Sequence, residues 1–165
     1  MDKDTLIGGL EFSRMRLLAV LETIEKSGQD VGKVLAWRPG PGRAHIGWQA
    51  MHCAATHDRY LNVGVLQGAV KDESLVANYA GGTTPSDANI PTLATIRQKL
   101  SATFEPFKKF VSEQSPQSLD KQIPAPGGKT RSVGEAVVLL TWHEAHHQGQ
   151  IHLTWNLYKA AHGIA

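Results

Sequence analysis

Apolar positions recur along this chain at spacings of three and four, the repeat that puts side chains on one face of an α-helix. Residues 4 to 26 carry Leu6, Leu10, Leu17, Val20 and Ile24 in that register, with Ser13 the one polar interruption. A second helix is expected over 44 to 67, after the helix-breaking "WRPGPGR", running through Trp48, Met51, His52, Ala55, Tyr60, Val63 and Leu66 and ending near Gly68. A third covers 91 to 112 through Leu93, Ile96, Leu100, Phe107 and Phe110, with Pro91 in its first turn and Pro106 expected to kink or end it. The fourth starts at "SVGE", where Ser132 and Glu135 form a capping box, and runs to Gly163. "AVVLL" alone could be a buried strand, but no alternating pattern competes, and the fold class is all-α.

The segments between these helices constrain how they are connected. Residues 69 to 90 contain "YAGGTTPSDANIP" and are too long for a tight turn, so the second and third helices can run parallel. Residues 113 to 131 are rich in Pro and Gly and read as an irregular surface excursion. There is no internal repeat. A chain of 165 residues, 41% of them hydrophobic, has the size of one domain, taken here as 1–165.

Charge narrows the functional classes. A net charge of +2 arises from 17 basic and 15 acidic residues scattered along the chain, without the basic block of a nucleic-acid surface. No leader-like start and no membrane span is visible, and Cys53, the single cysteine, excludes an intramolecular disulfide. The expectation is a soluble, cytoplasmic protein that engages neither nucleic acid nor membrane.

The chemistry concentrates in "HEAHHQGQIH", residues 143 to 152, whose first five fit the zinc-peptidase pattern H-E-x-x-H. Residues four apart on a helix project from one face, so His143 and His147 can grip one ion. No Asp, Glu or Met follows Glu144, and His152 points about 180° from His143, so the downstream part of a peptidase site is missing. The third ligand is therefore expected from upstream.

On the fourth helix, Ala136, Leu139, Leu140, His143, His147, Gln150, Thr154, Leu157 and Tyr158 fall within about 60° of His143, a core stripe interrupted by imidazoles. Buried imidazoles need partners for their ring nitrogens, and a shared metal supplies one. On the second helix, His45, Trp48, His52, Thr56, Arg59 and Val63 share a side, and His52 sits at a depth that can face the pair. His146 is the reserve ligand. Glu144, about 100° from the ligand direction, reads as a solvated surface residue. His57 reads as partly exposed, His45, His152 and His162 as solvated or near caps, Cys53 as small and buried, and Trp48, Trp142 and Trp155 as core or pocket wall.

Together, "IGWQAMHCAATHDRYL" and "SVGEAVVLLTWHEAHHQGQIHLTWNLY" resemble the DinB/YfiT-like superfamily of small metalloenzymes, through an H-x-x-H-H-x-G-Q signature and one mid-helix His upstream. The resemblance implies a four-helix bundle of up-down-down-up topology, a homodimer, and a zinc or nickel ion on His52, His143 and His147. It also implies transfer or isomerisation reactions that use a low-molecular-weight thiol.

Three imidazoles leave a fourth position open on such an ion. The first expectation is a thiol-transferase, in which the metal activates the thiol for attack on an electrophile. The alternatives are hydrolysis by activated water, with Glu144 or His146 as proton acceptor, and a non-catalytic metal-binding role. The cleft walls are expected from the loops at 36 to 44 and 69 to 90.

Overall fold

A computed structural model describes residues 2–125 and 128–164. The described residues are mostly helical, with one small antiparallel sheet. Helix α1 spans Lys3–Glu25, α2 Val31–Ala36, α3 Ile46–Asp58, α4 Glu73–Tyr79, α5 Leu93–Ser112 and α6 Val133–Ala161. Strands β1 (Gln122–Ala125) and β2 (Lys129–Ser132) pair between α5 and α6.

Local chemistry sets the helix starts. The Asp2 carboxylate accepts from the Thr5 N–H at 2.9 Å, the Thr92 hydroxyl from Thr95 N–H at 3.1 Å, and Ser132 and Glu135 close the expected capping box. The four long helices lie where periodicity put them, within a few residues at each end. The second departs in kind, because α3 continues as a π-helical segment over Arg59–Val65 that widens the turn facing the site. Pro106 lies inside α5 without ending it.

The connections hold more structure than expected. Residues 113 to 131 are not a loose excursion: a 3₁₀ turn over Gln117–Asp120 and the β1–β2 hairpin bury Leu119 and Ile123. Residues 126 and 127 of that stretch lie outside the described residues. At Gly64 a Cβ would stand 3.6 Å from both Ile123 Cδ1 and Pro124 O, so the hairpin packs closely on the π segment. The long 69 to 90 connection contains α4.

Side-chain contacts give the helix directions. Between α1 and α6, Gly9 meets Thr141 and Arg14 meets Glu144, so these helices ascend together. Gly47 meets Pro91 and His57 packs on Phe104, so α3 and α5 also ascend together. The core falls into two apolar clusters. One contains Leu17, Leu21, Ala55, Leu100 and Ile151, and the other Leu10, Tyr60, Phe104, Val137 and Leu140. Between them lies a polar layer of Arg14 on α1, His57 on α3, and Glu144 and His147 on α6, with His52 one turn earlier on α3 beside the first cluster. Among the described residues, no helix is long and apolar enough to cross a membrane.

Candidate metal centre

His52, His143 and His147 come together, as expected, with one potential ligand atom from each all within 4.8 Å of one another. Helix α6 supplies two of them one turn apart, and α3 brings the third from the facing wall. Trp48 stacks on His52 with ring centroids 4.8 Å apart and planes 8° from parallel, a packing contact on that ring rather than a wall of the cleft. The His52 Nδ1–H donates to the Tyr79 carbonyl at 2.7 Å, which leaves the lone pair of Nε2 facing the other rings. That Nε2 stands 3.0 Å from His143 Nε2.

This arrangement fits a divalent ion. Two nitrogens on a tetrahedral ion at ordinary Zn–N lengths stand about 3.3 Å apart, close to the separation here. His143 Nδ1 and His147 Nδ1 are buried without a hydrogen-bond partner; for His143 that atom lies across the ring from Nε2, so the fit to an ion rests on the convergent Nε2 atoms. Burial, and then the neighbouring imidazoles, hold the metal-free His143 at about 4 and His147 at about 3, and burial also lowers His52. All three are therefore neutral at pH 7, the state a metal requires.

His146, the reserve ligand, is exposed, stacks on Trp142 at 5.1 Å between centroids, and stands outside the cluster. Trp142 is 58% exposed, so it is not core, and it lines a separate cleft with Leu6, Val138 and Leu139, whereas Trp155 is buried as expected. Cys53 is buried and faces the dry side of α3. His152 and His162 are exposed, with His162 at the α6 C-cap. His45 caps α3 through Nδ1, accepting from Trp48 N–H at 3.0 Å, but it is buried rather than solvated, with Nε2 3.0 Å from the Ser86 carbonyl oxygen.

The largest correction concerns Glu144 and His57. Glu144 is 1% exposed and His57 is fully buried, so neither is a surface residue. The Glu144 carboxylate accepts from Arg14 Nε, and from Arg14 Nη2 at 3.1 Å. Arg14 Nη1 donates to the Leu100 carbonyl at 2.6 Å, and the guanidinium lies 4.3 Å over the Phe104 ring. His57 Nε2 stands 3.2 Å from Glu144 Oε2 but off the line of a good hydrogen bond. Burial pushes the Glu144 carboxyl up; His57 and the Arg14 charge more than reverse that and hold it at about 2. Burial lowers His57, so the cluster at neutral pH is one cation, one anion and a neutral ring.

The misplacement has a simple origin. The buried face of α6 runs through Val133, Val137, Leu140, Glu144, Ile151 and Trp155, rotated by about 90° from the direction of His143. Leu157, assigned to the core, is 42% exposed. Glu144 stands seven residues from both Val137 and Ile151, two helical turns either way, and that spacing was a readable signal. Likewise Arg14 falls four after Leu10 and three before Leu17.

A cleft of about 420 Å³ opens on His52 and His143. Its walls come from the π segment, from Ala80 and Gly81, and from Pro124 and Ala125 of β1. The 69 to 90 loop contributes as expected, but the hairpin stands where the 36 to 44 loop was expected.

A helical protein with three convergent histidines, two of them one turn apart on its last helix, is a candidate metal-binding protein in which an open coordination position would face a cleft. The chain belongs to the DinB superfamily, whose sequence profile matches residues 9–151. No curated protein sequence matches it.

Proposed function

We propose that the protein is a metal-dependent enzyme of the thiol-transferase type, with zinc or nickel held by His52, His143 and His147. The observation that carries this reading is the pair of imidazole Nε2 atoms 3.0 Å apart on two of the residues that line a 420 Å³ cleft. A divalent ion in that position would lower the pKa of a bound thiol so that sulfur reacts as thiolate at neutral pH. The residues orient and shield. Tyr79 fixes the tautomer of His52, Trp48 holds its ring plane, and the apolar cleft wall limits water around the reacting sulfur.

Hydrolysis has less support. Of the two candidate bases, Glu144 has both carboxylate oxygens engaged by Arg14 and lies on the dry side of α6, and His146 is exposed, stacks on Trp142 and stands outside the histidine cluster. The parallel α1/α6 and α3/α5 pairs support reading 1–165 as one four-helix bundle of up-down-down-up topology. The outward face of α6, with Val138, Trp142 and Leu153 exposed, supports a homodimer.

The test is direct. Cobalt-loaded protein titrated with glutathione and smaller thiols should develop an intense sulfur-to-metal band, absent in His147→Ala. A preparation that takes up no divalent metal after reconstitution would end the proposal. One that takes up metal but gives no sulfur band would end its thiol part.

A further inference from the structure

The cleft in front of the histidines has a chemical polarity that its apolar walls conceal. His52, Thr56, Arg59 and Val63 fall on one stripe of α3 and its π-helical extension, all lining the cleft. Among the described residues, no acidic side chain lines it. Arg59 is exposed, and among the described residues its guanidinium makes no ion pair and no hydrogen bond, unlike Arg14, Arg38 and Arg97, each paired with a carboxylate. Seven residues separate Arg59 from His52, which places their Cα atoms on the order of 10 Å apart along the helix. Thr56 stands between the two along the stripe, Val63, 40% exposed, lies a turn beyond Arg59, and Leu139 and Pro124 add apolar lining. Tyr60 joins the wall, its ring 5.9 Å beneath the guanidinium carbon of Arg131, a second positive group near the outer end.

We propose that this cleft selects a small carboxylate-bearing molecule, with Arg59 receiving the carboxylate at the outer end while the apolar body leads the other end to the histidines. The proposal rests on the reading of those histidines as a metal centre with an open position. A guanidinium suits a carboxylate because its planar fork gives two parallel hydrogen bonds, whereas one such group with no cradle of backbone N–H groups is a poor phosphate site. A cation at each end of a cleft without acidic residues penalises cationic ligands and leaves neutral ones with only their apolar contacts. The volume suits a ligand at the lower end of the small-molecule range.

Paired probes separate this inference from the function it rests on. Cobalt-loaded protein would be titrated with 4-mercaptobutyrate and with 4-mercapto-1-butanol, followed by the sulfur band. The carboxylate should bind about tenfold more tightly, and Arg59→Gln should remove that preference without changing metal content, while Arg59→Lys retains part of it. Equal binding of the two thiols to the unaltered protein, or a preference that survives Arg59→Gln, would overturn the assignment of Arg59 and leave the thiol reading standing. If neither thiol gives a band, the thiol reading fails, and calorimetry with hexanoate against hexanamide decides the inference by itself. A preference for hexanoate that Arg59→Gln abolishes supports it, and any other result overturns it.

Discussion

Two polar clusters share one turn of α6 and face in different directions. His143 and His147 meet His52 at the edge of a cleft and keep ring nitrogens without partners. Glu144, one residue on from His143 and about 100° around the helix, is buried and has its carboxylate oxygens occupied by Arg14. The first cluster turns its imidazoles toward a cleft; in the second the Arg14–Glu144 pair is closed on itself, and the ring nitrogens of the buried His57 lack partners. An incomplete set of neutral donors at a cleft can take up an ion, whereas a matched pair of buried charges fixes how helices pack. Arg14 and Glu144 join α1 to α6, and the Leu100 carbonyl brings in α5, so this pairing sets the rotation that points His143 and His147 at His52.

The comparison breaks most visibly if one charge is removed. Arg14→Met leaves a buried carboxylate without its cation and should cost about 3–5 kcal/mol, read as a fall in the urea midpoint of metal-free protein. Arg14→Met combined with Glu144→Leu should recover most of that loss, because no unpaired charge remains. A cost below about 1 kcal/mol for the single change would mean that the pair is solvated and the contrast false.

On the other side, His143→Ala should abolish stoichiometric metal binding yet move the metal-free urea midpoint by less than about 1 kcal/mol, since the imidazole it removes has an unsatisfied nitrogen. Metal analysis after dialysis and a denaturation curve read the two halves separately. A metal-free protein destabilised as severely as Arg14→Met would show that the triad also holds the fold together.

Acid should separate the clusters by pH. His143 and His147 in the metal-free fold sit at about 4 and about 3, below the ordinary value of 6.5. The unfolded chain therefore takes up protons first as pH falls. Their contribution is fully present above pH 6.5 and is lost progressively toward pH 3 to 4. Glu144, at about 2 against 4.5, contributes stability above pH 4.5 that is lost only as pH falls toward 2. Metal-free protein should thus lose stability as pH falls from 6.5 toward 3, and His143→Ala with His147→Ala should flatten that slope above pH 4.5, where Glu144 does not yet contribute, while leaving the loss below pH 3 unaltered. An unchanged slope in the double variant would assign the upper window to other buried histidines, such as His57.

These two regions also differ in how far they could be read from the chain. The i,i+4 spacing of His143 and His147 is local, so helix geometry alone places both on one ion, and the mid-helix His52 follows from its stripe. The four long helices were legible for the same reason, because a repeat of three and four needs no knowledge of partners. The ion pair was not legible in that way. It depends on how far α6 rotates against α1, and the apolar positions around His143 gave a stripe centre wrong by about one residue's turn, enough to exchange inside for outside at Glu144. The hairpin was missed because Pro and Gly in residues 113 to 131 indicate turns without showing what they bury, and Leu119 and Ile123 gave only two apolar points. The π segment, which widens the cleft, leaves no periodic trace in seven residues.

Cys53 repeats the relation of His143 to Glu144 on the facing helix, with a smaller expected effect. It follows His52 as Glu144 follows His143, again about 100° around the axis, and again it is fully buried on the dry side. Burial pushes its thiol well up, so at neutral pH it is no thiolate and no competitor for the ion. Cys53→Ala should change metal affinity by less than about twofold and stability by about 1 kcal/mol, the cost of a small void. Cobalt-loaded protein without added thiol should show no sulfur-to-metal band, and the native thiol should resist disulfide reagents until denaturant is added. A band before thiol addition that disappears in Cys53→Ala would place sulfur on the ion. The side of each helix that follows its ligand histidine would then not be sealed, and the contrast between an open cluster and a closed one would fail on α3 while standing on α6.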